Sequence, residues 1–344
     1  MNISNMYAVI LAGGSSQRLW PLSRKQNPKQ FLSYDNQKTL LEQTYARIEK
    51  SVPVDHVWIT TTETYKDRIS KYTKSERIVI EPCSRNTGPA ILLTCMKIYQ
   101  QNPQAVIVCL PSDAFIPEDN TDFFVHDIQT VSDFATKNNR IVLMGIKPTD
   151  GATGYGYIEY YDSHAEKLMP QKVKKFHEKP SPEVAQAYAH KKNMLWNSGI
   201  VCAKAEVLIS EFKEQAPEMY YSVCAYFDNK ISYDQVCAGS IDYEVLEKST
   251  CTYVLPAEFS WLDVGTINTF ISLKNKYQTD KNNILSIESK NNVVDTDILT
   301  VLMGVDDLCV VKTDDVLLII KKDQEQKVRT IIDQLCKQGK EKYI

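Results

Sequence analysis

An excess of positive charge is the first thing this sequence lacks. Its 40 Lys and Arg stand against 43 Asp and Glu, a formal net charge of −3. Such a balance offers nothing to hold a nucleic-acid backbone, so any nucleotide it handles is expected to be a small molecule. No apolar run approaches the roughly 20 residues that span a bilayer, so no membrane partner is expected. The five histidines lie far apart, without H-x-x-x-H or a His/Cys cluster, which argues against a zinc centre. The nine cysteines, at 83, 95, 109, 202, 224, 237, 251, 309 and 336, form no C-x-x-C pair and are odd in number. With no signal peptide read at the start, they are expected to be free, buried thiols in a reducing cytoplasm. The commonest phosphate motifs are missing too: there is no G-x-x-x-x-G-K-[ST], and no third glycine for G-x-G-x-x-G. No Gly/Ser linker, low-complexity tract or clear internal repeat is read.

What is present is an alternation of strand and helix patterns. Apolar runs at 7–12, 56–60, 77–80, 106–110 and 141–146 read as strands, and 40–50, 64–72, 89–101 and 121–137 carry helical spacing. This predicts an α/β fold with a doubly wound, mainly parallel sheet. Three strands end in polar, Gly- or Pro-marked segments, at Gly13 onward, Glu81-Pro82 and Pro111-Ser112-Asp113, where a ligand crevice is expected. In the middle third, 151–161 is rich in Gly and Tyr, while 172–178 and 198–202 are strand candidates. Ser181-Pro182-Glu183 starts a helix, with Ser181 as N-cap and Pro182 at its first position. Past about residue 281, short apolar pieces (284–287, 293–294, 299–303, 308–311) are broken by Asn and Asp. A strand at 316–320 and a helix at 324–338 follow. The chain is therefore expected to divide into a domain over 1–280 and a small C-terminal β/α domain over 281–344.

The first strand runs into Leu11-Ala12-Gly13-Gly14-Ser15-Ser16-Gln17-Arg18. Without a Cβ in the way, the Gly13 and Gly14 amides can point at phosphate oxygens. Arg18 and Lys29 can neutralise the charge collected there. A plain βα turn explains two glycines equally well. Asp113 follows an apolar strand, and Asp263 sits beside a Gly turn. One carboxylate holds Mg²⁺ poorly, whereas two carboxylates plus substrate phosphates make an octahedral site. Taken singly, each Asp can equally be a cap or turn residue.

The run from Leu11 to Leu32, with Gly13-Gly14-x-x-x-Arg18-Leu19-Trp20-Pro21-Leu22-Ser23-Arg24 and Pro28-Lys29-Gln30-Phe31-Leu32, resembles the signature of sugar-nucleotide pyrophosphorylases. It is most similar to that of bacterial mannose-1-phosphate guanylyltransferases. Residues 81–90 resemble the family's E-P-x-x-R-N-T-A-P-A, 176–180 its F-x-E-K-P, and 196–199 its W-N-S-G. Asp242-Tyr243-Glu244 resembles part of the family's I-D-Y run, taken either as structural or as supporting the residues that touch the substrate. The resemblance covers about residues 7 to 335, with the motifs in order. It implies a nucleotide-diphospho-sugar transferase (Rossmann-like) fold and a short left-handed β-helix near the C-terminus, often used in self-association, hence a homo-oligomer, a dimer. The implied reaction moves GMP from GTP to α-D-mannose 1-phosphate, giving GDP-mannose and pyrophosphate with Mg²⁺.

Nucleotide binding is then expected at Leu11, Gly13, Gly14, Glu81, Asn86 and Ser112, and metal binding at Asp113 and Asp263. Glu81 can accept from an exocyclic amine and a ring N–H, the pattern guanine presents. Asn86 offers donor and acceptor to a purine edge, although it or Thr87 can also cap the next helix. Arg18 and Lys29 would stabilise the leaving pyrophosphate, and Lys179 would orient the incoming phosphate. Gly156, Glu178 and Asn197 would bind the sugar phosphate, with Glu159 facing the sugar; Glu178 and Lys179 could instead be a solvated pair. Departures from the family are Ser16 and Gln17 for Gly and Thr, Gly88 for Ala, Ala114 for His, Val201 for Phe and Ile267 for Trp. Several are expected on the sugar side, which keeps open another nucleotide or another sugar 1-phosphate, such as glucose or a deoxy or heptose sugar. A glycosyltransferase is a further alternative, although the only D-x-D, Asp295-Thr296-Asp297, reads as a turn. A non-catalytic sugar-nucleotide binder is another. Longer relatives continue into an isomerase domain, so a single activity is expected here.

Overall fold

The structure, a computed structural model, describes residues 5–14, 17–161, 169–278 and 283–344. Ser16 and the expected boundary at 280/281 lie outside the described residues. The strands are β1 (Met6–Leu11), β2 (Val57–Thr62), β3 (Ile78–Glu81), β4 (Val106–Pro111), β5 (Ala114–Phe115), β6 (Ile141–Ile146), β7 (Tyr157–Tyr160), β8 (Gln171–His177), β9 (Met194–Lys204), β10 (Thr252–Pro256), β11 (Leu262–Asp263), β12 (Ile284–Ile287), β13 (Val293–Asp295), β14 (Thr300–Met303), β15 (Leu308–Lys312) and β16 (Leu317–Lys321). The helices are α1 (Leu40–Ile48), α2 (Lys66–Ile69), α3 (Thr87–Gln101), α4 (Thr121–Asn138), α5 (Pro182–Ala189), α6 (Ala205–Gln215), α7 (Pro217–Phe227), α8 (Ile267–Tyr277) and α9 (Val328–Lys337). The chain groups into two compact units, one of residues 1–13, 45–112 and 116–261, the other of 14–44, 113–115 and 262–344.

In the first unit nine strands form one sheet in the order β3-β2-β1-β4-β9-β6-β10-β8-β7. The strand–helix alternation up to residue 111 gives the expected parallel ladder β3-β2-β1-β4. β1 is buried along nearly its whole length, which is why it reads as an unbroken apolar run rather than an alternating one. Beyond β4 the sheet becomes mixed. The eleven-residue β9 runs antiparallel to both β4 and β6, and only β6 and β10 pair parallel there. The core gathers β-strand residues such as Val9, Ile107, Leu143 and Val201 with Leu92 of α3 and Phe212 of α6.

Val201 thus corrects an expectation. It packs in this core at 3% exposure, so its difference from the family concerns packing, not the sugar. Ile267 is likewise wholly buried, against Trp20, Ile271 and Val293 of the second unit. Gly88 has a steric reason of its own: a Cβ there would lie 2.7 Å from Met219 Sδ and 2.8 Å from the Gly239 carbonyl.

In the second unit, β12 pairs parallel with β14 and β13 with β15, both with a register of sixteen residues (Ile284 with Thr300, Val293 with Cys309). The backbone repeats with the same step. Glu288 and Gly304 take φ of 49° and 64°, and Asn291 and Asp307 take 55° and 57°. The corners are tied by matching bonds, Leu308 N to Asn292 Oδ1 at 2.8 Å and Lys290 N to Asp306 Oδ1 at 2.5 Å. A regular coil is therefore present that the sequence does not announce. β16 closes it antiparallel to β15. Asp295 pairs with Lys274 and Asp297 with Lys312, each at 2.6 Å, so both acids of the D-x-D are held in ion pairs.

Candidate functional site

In the first unit, parallel pairing aligns the carboxyl ends of β3, β2, β1 and β4, with Glu81 opposite Thr62 and Leu11 opposite Pro111. The Leu11 carbonyl accepts from Ser112 N at 3.2 Å. Gly13 lies beside Glu81, whose Oε2 would be 3.4 Å from a Cβ on that glycine. Leu11, Gly13, Glu81 and Ser112 thus share one end of the sheet. Glu81 is only 6% exposed and accepts from the Tyr233 hydroxyl at 2.7 Å. Burial pushes its carboxyl up to about 7, with the Tyr233 bond opposing. Asn86 caps α3, its Oδ1 accepting from Thr87 N at 2.8 Å, and does so at φ 71°, ψ −173°. A non-glycine residue held there stores about 1–3 kcal/mol of strain. A loop far along the chain fixes this segment: Gly88 N donates to the Gly239 carbonyl at 2.9 Å, Gly239 N to the Arg85 carbonyl at 3.2 Å, and Ile241 N to Thr87 Oγ1 at 3.1 Å.

A second cluster in the same unit holds the residues expected at the sugar phosphate. Asn197 N donates to the Gly156 carbonyl at 2.8 Å, and a Cβ on Gly156 would stand 2.5 Å from Glu178 Oε2. The carboxylate packs directly against the Gly156 backbone, so a side chain at that position would have to displace it. Glu178 Oε1 lies 2.7 Å from Lys179 Nζ; the carboxylate is 9% exposed and the lysine 57%. Lys179 adopts φ 43°, a left-handed conformation that costs a β-carbon residue energy. Asn197 Nδ2 donates to Asp242 Oδ1 at 2.8 Å while its Oδ1 accepts from Gly199 N at 3.1 Å. Burial, then the nearby Glu178, pushes Asp242 up to about 6. Asp242 starts a π-helical turn, a rare geometry often found at functional sites. Glu159 is otherwise engaged: Lys174 Nζ lies 3.0 Å from it and His177 Nε2 3.8 Å, so it braces β7 against β8.

The second unit holds Asp113, Asp263, Lys29 and Arg18. Asp263 in β11 pairs in register with Ala114 of β5, immediately after Asp113. Lys29 sits on the 3-10 turn Lys29–Phe31, with Nζ 2.9 Å from Asp263 Oδ1 and 3.1 Å from Asp113 Oδ2. Burial alone would lower this ammonium, but the two carboxylates outweigh it and hold it above its ordinary value. Gly265 lies against the Asp263 carboxylate, whose Oδ2 would stand 2.6 Å from a Cβ there and would have to shift. Gly14 differs: no described atom lies within 4 Å of where its Cβ would be, so nothing in the described chain dictates that glycine. Arg18 lies half-buried on the turn Gln17–Leu19. The residues just after it are anchored to the C-terminal turn, Trp20 Nε1 donating to the Tyr343 carbonyl at 2.6 Å and Arg24 to the same carbonyl. Arg24 also pairs with Asp315 at 2.7 Å.

Sequence reasoning missed Tyr233 and gave Asp242 a structural or supporting part. Tyr233 carries no local signal, and the I-D-Y run around Asp242 does not reveal its partner; each acquires meaning from a distant residue, Glu81 or Asn197.

A family profile described as nucleotidyl transferase matches residues 7–280, and one described as MannoseP isomerase/GMP-like beta-helix domain matches 282–335. Mannose-1-phosphate guanylyltransferase 2 of Escherichia coli O157:H7 is 33% identical over 321 residues, 84% of this chain and 65% of that protein. The alginate biosynthesis protein AlgA of Pseudomonas fluorescens is 33% identical over 282 residues, 76% of this chain and 56% of that protein. The chain therefore spans less than two thirds of the length of these relatives. The crystal structure of a mannose-1-phosphate geranyltransferase from Thermus thermophilus matches with a TM-score of 0.84 at 27% identity, over 96% of this chain and 99% of that one. Signature, sheet and profile agree: the chain belongs to the nucleotidyl transferase family.

Proposed function

We propose that this protein transfers GMP from GTP to α-D-mannose 1-phosphate, releasing pyrophosphate and forming GDP-mannose. The observation that carries this reading is the convergence of Asp113 and Asp263 on Lys29, in the unit that also bears Arg18. The named functions of its guanylyltransferase relatives support the choice of nucleotide and sugar. A sugar-phosphate oxygen attacks the α-phosphorus of GTP in line, and the pyrophosphate leaves with the bond electrons. A phosphate dianion is already a nucleophile, so the protein needs no general base; its work is positioning and charge neutralisation. Arg18 and Lys29 neutralise the departing pyrophosphate, Lys179 orients the incoming phosphate, and Glu178 and Asn197 hold sugar hydroxyls. Asp113 and Asp263, two hard oxygen donors, fit Mg²⁺ and would hold it; bound there, it would neutralise phosphate charge. Glu81 and Asn86 read the base.

The nine free thiols and phosphorylated substrates suit a reducing cytoplasm. Among the described residues no helix is long and apolar enough to cross a membrane. Residues 1–280 would carry the transfer, and 281–344 would serve a homodimer through the exposed Leu285, Ile287, Val301 and Met303 of β12 and β14. Pyrophosphate release measured over four nucleoside triphosphates and several sugar 1-phosphates tests the reading. A maximum at GTP with mannose 1-phosphate is expected; release with no pair would sink it.

A further inference from the structure

Tyr233 lies 152 residues from Glu81 in the chain, yet its hydroxyl ends on that carboxylate at 2.7 Å. Both side chains are buried, at 2% and 6% exposure. The tyrosine ring stacks edge-on against Tyr226, with centroids 4.8 Å apart. Its loop is fastened to the start of α3 by the bonds of Gly239 and Ile241, and by Arg85, which donates to the Asp234 carbonyl. The loop and the base-reading segment therefore form one hydrogen-bonded assembly, and Tyr233 is the member that reaches the carboxylate.

We propose that Tyr233 is a positioning residue for nucleotide choice, holding Glu81 ionised and oriented so that its carboxylate accepts from a guanine edge. The inference rests on the reading of Glu81 given above. Guanine presents two donors, N1–H and the 2-amino group, which suit an ionised carboxylate. Adenine presents an acceptor beside a donor, which suits a protonated one. A buried carboxyl drifts toward the neutral form. A phenol that donates to it favours the ionised form, so removing the hydroxyl shifts Glu81 toward the state that tolerates adenine. The other titratable groups acting on this pair are Cys83 and Tyr226, both on the Tyr233 side.

The test is the ratio of kcat/KM for GTP to that for ATP between pH 6 and 8.5, in which the titration of the phosphates cancels. In the unaltered protein the ratio should fall as pH drops through about 7; a flat ratio overturns the inference without any variant. In Tyr233→Phe the ratio should fall about tenfold, the fall extending to higher pH, with kcat at saturating GTP little changed. In a Glu81→Gln background, Tyr233→Phe should move the ratio no further. If Glu81→Gln alone changes the ratio and a folded Tyr233→Phe does not, Tyr233 has no such role and the reading of Glu81 stands. If Glu81→Gln leaves the ratio unchanged, that reading fails and the inference fails with it.

Discussion

Under the proposed function, Lys29 is the residue that links the two acids of the second unit. One ammonium answers two carboxylates, so changing either acid alters the other's environment as well. Asp263→Asn should lower turnover by about 10²-fold or more, in keeping with the loss of one preorganised charge. Asp113→Asn should do the same, and the double variant should fall well short of the product of the two effects, because they share Lys29. Pyrophosphate release by all three variants decides it; simple multiplication would deny the shared partner. Lys179 allows a cleaner separation of stability from activity. Its φ of 43° suits glycine, so Lys179→Gly should raise the melting temperature slightly through about 0.5–1 kcal/mol of relieved strain. The same change should raise KM for the sugar 1-phosphate tenfold or more. A variant both less stable and fully active would refute both roles.

Among the elements, the C-terminal coil shows why sequence and structure diverge. Positions sixteen apart share almost no residue types: Ile284 faces Thr300, Glu288 corresponds to Gly304, and Lys290 to Asp306. What repeats is the sign of φ at two corners, which composition does not display, so an internal repeat could not be read. Glu288→Gly should stabilise the fold by about 0.5–1 kcal/mol, and Gly304→Val should cost about 1–3 kcal/mol, both measured by denaturant melts. Equal and negligible effects would mean the corners are not conformationally constrained. Elsewhere the elements were legible where one period dominates. β6 occupies the same 141–146 that its apolar run marks, and Ser181 and Pro182 open α5 as their turn chemistry indicates. β9 was legible only over 198–202 of its Met194–Lys204 span, because the polar Asn197 breaks the apolar pattern of its first half. Its antiparallel direction is written in no hydrophobic run, since a buried strand looks alike in either sense.

Across the whole molecule, buried carboxyls set the pH response. Burial raises Glu81 to about 7 and Asp127 and Asp242 to about 6. A carboxyl that ionises less readily folded than unfolded contributes most below its unfolded value and loses that contribution as pH climbs through the folded value. For Glu81 the window runs from about 4.5 to about 7, a change of about 3 kcal/mol at most. Glu81→Gln should therefore gain stability relative to the unaltered protein as pH rises from 5 to 8, in paired urea melts at each pH. A constant difference would mean the carboxyl ionises freely in the fold. The site was legible at the same scale in part. Gly156, Glu178 and Asn197 were expected together and lie together. The burial that shifts Glu81 and Asp242 could not be read, because it is made by residues distant in sequence. The C-terminal turn carries a last consequence of this kind. Trp20 and Arg24 grip a main-chain carbonyl, an atom that every amino acid supplies. A scan of point substitutions through 341–343 would therefore pass almost silently and mark this turn as dispensable. Shortening the chain at Lys340 would remove the carbonyl and loosen the loop that carries Arg18, so this dependence is visible to deletion and invisible to substitution.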